Sequence, residues 1–502
     1  VSQFSSETRK PTLDKDLDKF AYVEEATSFV SRSLVGPGIA LIFLFTVAVF
    51  VAVIFSGTDR TLLIATAAAI GGYMALNIGA NDVANNVGPA VGANALSMGG
   101  ALVMAALCES AGALLAGGDV VQTISNGIVA PASLDGTSIF IQAMTAALVS
   151  SALWVNLATY VGAPVSTTHS VVGGVLGAGV AAAGLSAVHW EVVLAITASW
   201  IVSPLIGGVI AAAFLAFIKI FIIYRDDKIA AARRWVPVLI AVMAGAFASY
   251  LAYKGLGHLF HLGPADATVT GLVVGLAAWL VYNPLIRRQS RNLENRNQSL
   301  RKLFTVPLVV SAAFLSFAHG ANDVANAVGP LAAIVGAAEA GSVGTAITIP
   351  IWVMVVGAFG ISLGLTLFGP RLIRMVGRQI TRLNPMRAFC VALSAALTVI
   401  VASWLGLPVS STHIALGGVF GVGLFREWYT ARSPRRMAYV RRNETRRAKA
   451  APGPHAREEQ RRRKLVRRSH FMRIVAAWIF TVPAAALLAA GVFFALTPFF
   501  AL

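Results

Sequence analysis

The chain has 502 residues, of which 57% are hydrophobic and only 12% charged, against about 25% charged in an ordinary soluble domain. The mean hydropathy is +0.74. That composition argues against a soluble core. The net charge of +18 invites a nucleic-acid partner, but the excess Lys and Arg sit in loops between apolar runs, where they mark the cytoplasmic side of a membrane instead. Residues 1–34 are polar and mixed in charge, with no cleavable-signal pattern, and read as a cytoplasmic tail. An extra transmembrane helix over 35–56 follows, then a first repeat over 61–224 with apolar runs at 61–78, 98–117, 138–160 and 192–222. Spans at 235–253 and 268–286 and a basic cytoplasmic loop make up a linking segment over 225–302. The second repeat, 303–502, carries runs at 303–318, 346–369, 388–405 and 474–495 and a basic cytoplasmic loop over 426–473. Each run approaches the roughly 20 residues that cross a bilayer as helix. Cys108 and Cys390 lie inside apolar runs and offer neither a disulfide framework nor metal-ligand spacing.

The two repeats are legible as repeated words. GANDVAN occurs at Gly79–Asn85 and again at Gly320–Asn326, and each copy continues into Val-Gly-Pro. Pro164-Val165-Ser166-Thr167-Thr168-His169 is matched by Pro408-Val409-Ser410-Ser411-Thr412-His413, differing only at Thr167/Ser411. Loop charge orients each copy. The element at 408–413 is flanked by Arg371, Arg374, Arg378, Arg382 and Arg387 on one side and by 17 Lys/Arg over 426–473 on the other, so both flanks belong inside. Arms at 388–405 and 408–425 must then leave and return on one side, as a re-entrant hairpin. The first copy has no Lys or Arg in its flanks, 118–137 and 181–191, and belongs outside. The expected fold is therefore all-α and polytopic, an inverted-topology repeat with two re-entrant helical hairpins. Nine full spans give a cytoplasmic N-terminus and an external C-terminus.

The paired GANDVAN…VGP and P-V-S-[ST]-T-H motifs closely resemble those of the inorganic phosphate transporter family, which includes bacterial low-affinity phosphate permeases and sodium–phosphate cotransporters. The resemblance covers the chain from about residue 61. It implies a non-enzymatic secondary transporter of the inner (plasma) membrane, carrying inorganic phosphate in symport with Na⁺ or H⁺ by alternating access, with the site between the repeats. Membrane lipids are expected partners, a homodimer is an additional expectation, and no cofactor is implied beyond the co-transported ion.

Within that frame the residues divide by chemistry. Asp82 and Asp323 sit beside apolar spans, where a carboxylate costs at least about 2.5–3.5 kcal/mol; neither motif holds a Lys or Arg, so a hard cation such as Na⁺ is the expected partner. Asn85 and Asn326 share that assignment, as does Glu109, whose counterpart in the second copy is expected near Gly357–Ala358. Ser166, Thr167, Ser410 and Ser411 stand where N-caps belong, so the second arms should present free N–H groups and positive dipole ends to an anion. Hydroxyls of Thr168 and Thr412, with Asn81 and Asn322, complete the expected phosphate set. Pro164 and Pro408 punctuate the tips. Relatives carry a Glu in the hairpin arm, and here Met144 and Ala392 take those places. His169 and His413 read either as proton relays or as packed, hydrogen-bonded rings. A sulfate permease of the same fold and an anion channel are the competing readings. A Ser–His–Asp hydrolase is disfavoured because no G-x-S-x-G elbow surrounds the serines.

Overall fold

Long uncharged runs can satisfy their backbone in a bilayer only as helices or closed barrels, and here they form helices. The computed structural model describes residues 34–58, 60–130, 134, 136–161, 165–255, 262–340, 349–379, 384–432 and 468–500. The N-terminal tail, Pro164 and most of the basic loop 426–473 lie outside the described residues. Among the described residues, 11 helices are long and apolar enough to span a membrane. That number equals the eleven long apolar runs read from the sequence, which include the first arm of each hairpin.

In chain order the helices are α1 (Leu34–Ile54), α2 (Thr61–Asn86), the short α3 (Gly88–Gly92), α4 (Met98–Ala116), α5 (Gly118–Gln122), α6 (Thr137–Val161), α7 (Thr167–Ala183), α8 (Trp190–Ile218) and α9 (Lys228–Tyr250). Then come α10 (Pro264–Gln289), α11 (Asn297–Leu303), α12 (Thr305–Ala340), α13 (Ile351–Gln379), α14 (Pro385–Trp404), α15 (Ser411–Arg432) and α16 (Arg468–Phe500). The hairpins are α6–α7 and α14–α15.

The GANDVAN motifs are not beside their helices, as the apolar runs suggest, but inside them. α2 continues through Asn86, and α12 carries Gly320–Asn326 and Pro330 within a single 36-residue helix. Asn and Asp usually weaken helices by bonding their own backbone. Here their side chains reach neighbouring helices instead, so the helix survives the polar stretch. α12 and α14 are the most buried spans. Helix α10 is the least buried, packing chiefly on α9.

The two copies pack reciprocally. α2 lies on α13 while its counterpart α12 lies on α4; α7 lies on α16 while its counterpart α15 lies on α8. The register is also shared. Gly79 abuts the carbonyl of Ile361, and Gly320, its equivalent, abuts the carbonyl of Glu109. Ser110 and Ser362, the residues that follow Glu109 and Ile361, bond to each other at 2.7 Å. Exchange of contacts between equivalent positions is the signature of an approximate two-fold relation.

A side chain at Gly79 or Gly320 would have to displace a backbone carbonyl. We expect Gly320→Val to lower stability by about 3 kcal/mol, at the upper end of core overpacking, read as a depressed melting temperature of the detergent-purified protein. An unshifted melt would refute the close crossing.

Candidate functional site at the hairpin tips

Each hairpin tip delivers a helix start to the molecular centre. Ser166 caps α7, its Oγ accepting from His169 N at 3.2 Å. Ser410 Oγ accepts from His413 N at 3.4 Å at the start of α15. The remaining first-turn N–H groups have no acceptor within their own helices. Thr167 and Ser411, also expected as caps, are instead the first helical residues. A cap needs extended backbone, which Ser166 has (φ −85°, ψ 121°).

The hydroxyls just inside the helices turn toward the carboxylates. Thr167 Oγ1 donates to Asp82 Oδ2 and Ser411 Oγ to Asp323 Oδ2, both at 3.1 Å. The next pair crosses between copies. Thr168 Oγ1 donates to the Val409 carbonyl at 3.0 Å and accepts from Asn326 Nδ2 at 3.2 Å. Thr412 Oγ1 donates to Asp82 Oδ1 at 3.1 Å and accepts from Asn85 Nδ2 at 2.8 Å. A hydroxyl has one proton, so these bonds fix both amides with nitrogen toward the threonine and oxygen away.

Asn81 and Asn322 tether the tips. Asn81 Nδ2 donates to the Val165 carbonyl at 3.2 Å and to Asp82 Oδ1 at 3.0 Å. Asn322 accepts from Val409 N at 3.1 Å and donates to Ser403 Oγ at 2.9 Å and to the Leu407 carbonyl at 3.1 Å. Both tips therefore hang from the GANDVAN motif of their own repeat.

The acids meet a base that the motif reading missed. His319 directly precedes the second motif and is fully buried. Its Nε2 lies 2.8 Å from Asp323 Oδ2 and 3.8 Å from Asp82 Oδ2, and its Nδ1 lies 3.1 Å from Glu109 Oε2. One ligand atom each from Asp82, His319 and Asp323 fall within 4.8 Å of one another. Three carboxylates thus face one imidazole. Asp323 Oδ1 and Asn326 Oδ1 are buried and have no hydrogen-bond partner among the described residues. Buried acceptors are rarely left so. Two of them one helical turn apart, beside surplus negative charge, suit a hard, oxygen-seeking cation.

This acidic side exists in one copy only. Glu109 also accepts from Asn86 Nδ2 at 2.8 Å. The shared register gives Ile361, not Gly357–Ala358, as the counterpart of Glu109; the expected position falls one helical turn short. The equivalents of His319 and Asn86 are Ile78 and Ala327. All three counterparts are buried and apolar, so a polar triad on one side is replaced by a dry one on the other. Comparing the copies residue by residue outside the motifs would have exposed His319 against Ile78. Met144 in α6 and Ala392 in α14 are buried apolar residues.

His169 and His413 close the tips. Their ring centroids are 4.7 Å apart, and His169 packs on Trp200 at 3.9 Å. Trp200 Nε1 donates to the Pro408 carbonyl at 3.0 Å, so α8 of the first repeat grips the tip of the second.

Comparison with known proteins places the chain in a family. The profile of the phosphate transporter family matches residues 78–489. A candidate phosphate permease of Helicobacter pylori strain J99 is 51% identical over 423 residues, 84% of this chain and 79% of its own length. One from Pyrococcus abyssi is 37% identical over 358 residues, 71% of this chain and 87% of its own. A solved sodium-dependent phosphate transporter superposes with a TM-score of 0.76 at 31% identity, covering 87% of this chain and 99% of the other. With eleven candidate spans and a doubled motif at its centre, the chain is a multi-pass membrane protein that belongs to the phosphate transporter family.

Proposed function

We propose that the protein carries inorganic phosphate across the inner (plasma) membrane in symport with Na⁺, the anion held between the starts of α7 and α15 and the cation at Asp82, Asp323 and Asn326. The observation that carries this reading is the physical continuity of the two sites. Thr167, Ser411 and Thr412 donate to the carboxylates while their helix starts supply the N–H groups for an anion. A cation that neutralises the carboxylates frees hydroxyl protons for phosphate oxygens, so each ligand raises the affinity for the other. The name of the solved relative supports Na⁺ as that cation. Glu109 and His319 act through the acidic side, holding Asp323 in place.

Loop charge supports opposite orientations of the repeats, an N-terminus inside and a C-terminus outside, and thus access alternating by rocking of one repeat on the other. The test is uptake by the purified protein in liposomes, with labelled phosphate and competing sulfate, under imposed Na⁺ or H⁺ gradients. The expected result is phosphate uptake driven by Na⁺ and little affected by sulfate. Preferential sulfate uptake, or ohmic flux with no cation dependence, would replace the proposal with a sulfate permease or a channel.

The tips make a separate prediction. Ser410→Ala with Ser411→Ala removes a helix cap, worth about 1 kcal/mol, and one hydroxyl donor of similar net worth. The two losses together, about 2 kcal/mol, should raise the phosphate KM roughly thirtyfold. An unchanged KM would remove the second tip from the anion site.

A further inference from the structure

We propose that the groove between the basic ends of α9 and α10 binds the headgroup of an anionic phospholipid. These two helices link the repeats, and none of the bonds described above at the tips or the acidic cluster involves them. They cross closely where Gly245 meets the backbone of Gly271 and Gly275. Toward the basic end the gap becomes a pocket of about 730 Å³ lined by Arg233, Arg234, Trp279, Asn283, Arg287 and Arg291 among others.

The lining is built rather than incidental. Trp279, Asn283 and Arg287 recur every four residues and form one stripe of α10, and Arg291 follows in the turn just beyond the helix end. Arg233 is pinned across the gap, its Nε donating to Ser290 Oγ at 2.6 Å and its Nη2 to the Ser290 carbonyl at 3.0 Å. Arg287 Nε is held by Asn283 Oδ1 at 3.1 Å. None of the four guanidiniums forms an ion pair with a described residue, and no acid lines the pocket. Planar guanidiniums match the paired oxygens of a phosphodiester.

A lipid fits better than a soluble anion because of what continues from the pocket. The face of α10 beside the stripe is apolar and exposed: Leu272 is 69% and Leu276 59% accessible, with Val269, Val273 and Leu280 similar. Acyl chains can lie along that face while the headgroup enters the arginines, with Trp279 at the boundary, as interfacial tryptophans are.

The test is native mass spectrometry of the detergent-purified full-length protein with phosphatidylglycerol, phosphatidylcholine and inorganic phosphate. Phosphatidylglycerol should be retained and phosphatidylcholine lost. Arg287→Gln with Arg291→Gln should weaken phosphatidylglycerol binding about thirtyfold, from roughly fivefold per guanidinium at a membrane surface. Arg288→Gln alters an exposed charge one residue outside the stripe and should leave retention unchanged. Equal loss in Arg288→Gln, equal retention of the two lipids, or displacement by millimolar phosphate would each overturn the proposal. The last would make the pocket a soluble-anion site. Both variants should keep wild-type phosphate uptake in liposomes of uniform composition, separating a failure here from a failure of the transport reading.

Discussion

Asp323→Asn is expected to abolish Na⁺-driven phosphate uptake while leaving the protein folded in the membrane. Asp323 touches His319 at 2.8 Å and Ser411 at 3.1 Å, and its second oxygen is the unpartnered acceptor assigned to the cation. An amide preserves shape but replaces one acceptor oxygen with a donor and removes the charge. Unmaking one side of a buried charged contact costs about 3–5 kcal/mol, which is at least a hundredfold in cation affinity by the usual conversion. Asp82→Asn should behave alike, because Asp82 accepts from Thr167, Thr412 and Asn81. Uptake kinetics within a few-fold of wild type in both variants, at matched membrane abundance, would remove the carboxylates from coupling.

The second large effect concerns the base between the acids. His319→Gln leaves Asp82, Glu109 and Asp323 facing one another without the imidazole that all three approach, so stability and uptake should both fall, the former by about 3 kcal/mol. Glu109→Gln in the same chain removes one of the clashing charges. The double variant should therefore be more stable than His319→Gln alone, a coupling of about 1–3 kcal/mol in a double-mutant cycle. Melting temperatures of the four purified proteins give the answer. Additive losses would mean that Glu109 and His319 do not interact energetically despite their 3.1 Å approach.

Much of this site was legible because repetition is visible without coordinates. The doubled motifs located Asp82, Asp323 and the Ser/Thr tips, and loop charge set them in hairpins. Periodicity could not tell that the motifs continue the helices, because Gly, Asn and Asp locally argue for a break. What overrides them is tertiary: Asn81 and Asn322 spend their hydrogen bonds on the tips, not on their own backbone. His319 escaped notice because it lies outside the repeated words and has an isoleucine as its equivalent, so the comparison that revealed the motifs hid it. The motifs hold no Lys or Arg, so the sequence points to a bound cation as partner of the aspartates. The fold adds a histidine one turn from Asp323 on α12, reached on its other side by Glu109 from the opposite repeat. The cross-copy bonds of Asn85 to Thr412 and Asn326 to Thr168 were likewise unreadable, since nothing in a motif says which copy it faces.

The coupling of anion and cation sites through shared hydroxyls is the claim on which the rest depends. Equilibrium binding of labelled phosphate to the purified protein, titrated in Na⁺ and then in choline at equal ionic strength, measures it without transport. Na⁺ should tighten phosphate binding in the wild type, phosphate should tighten Na⁺ binding by the same factor, and both effects should vanish in Asp323→Asn. Phosphate affinity indifferent to Na⁺ in the wild type would contradict the account.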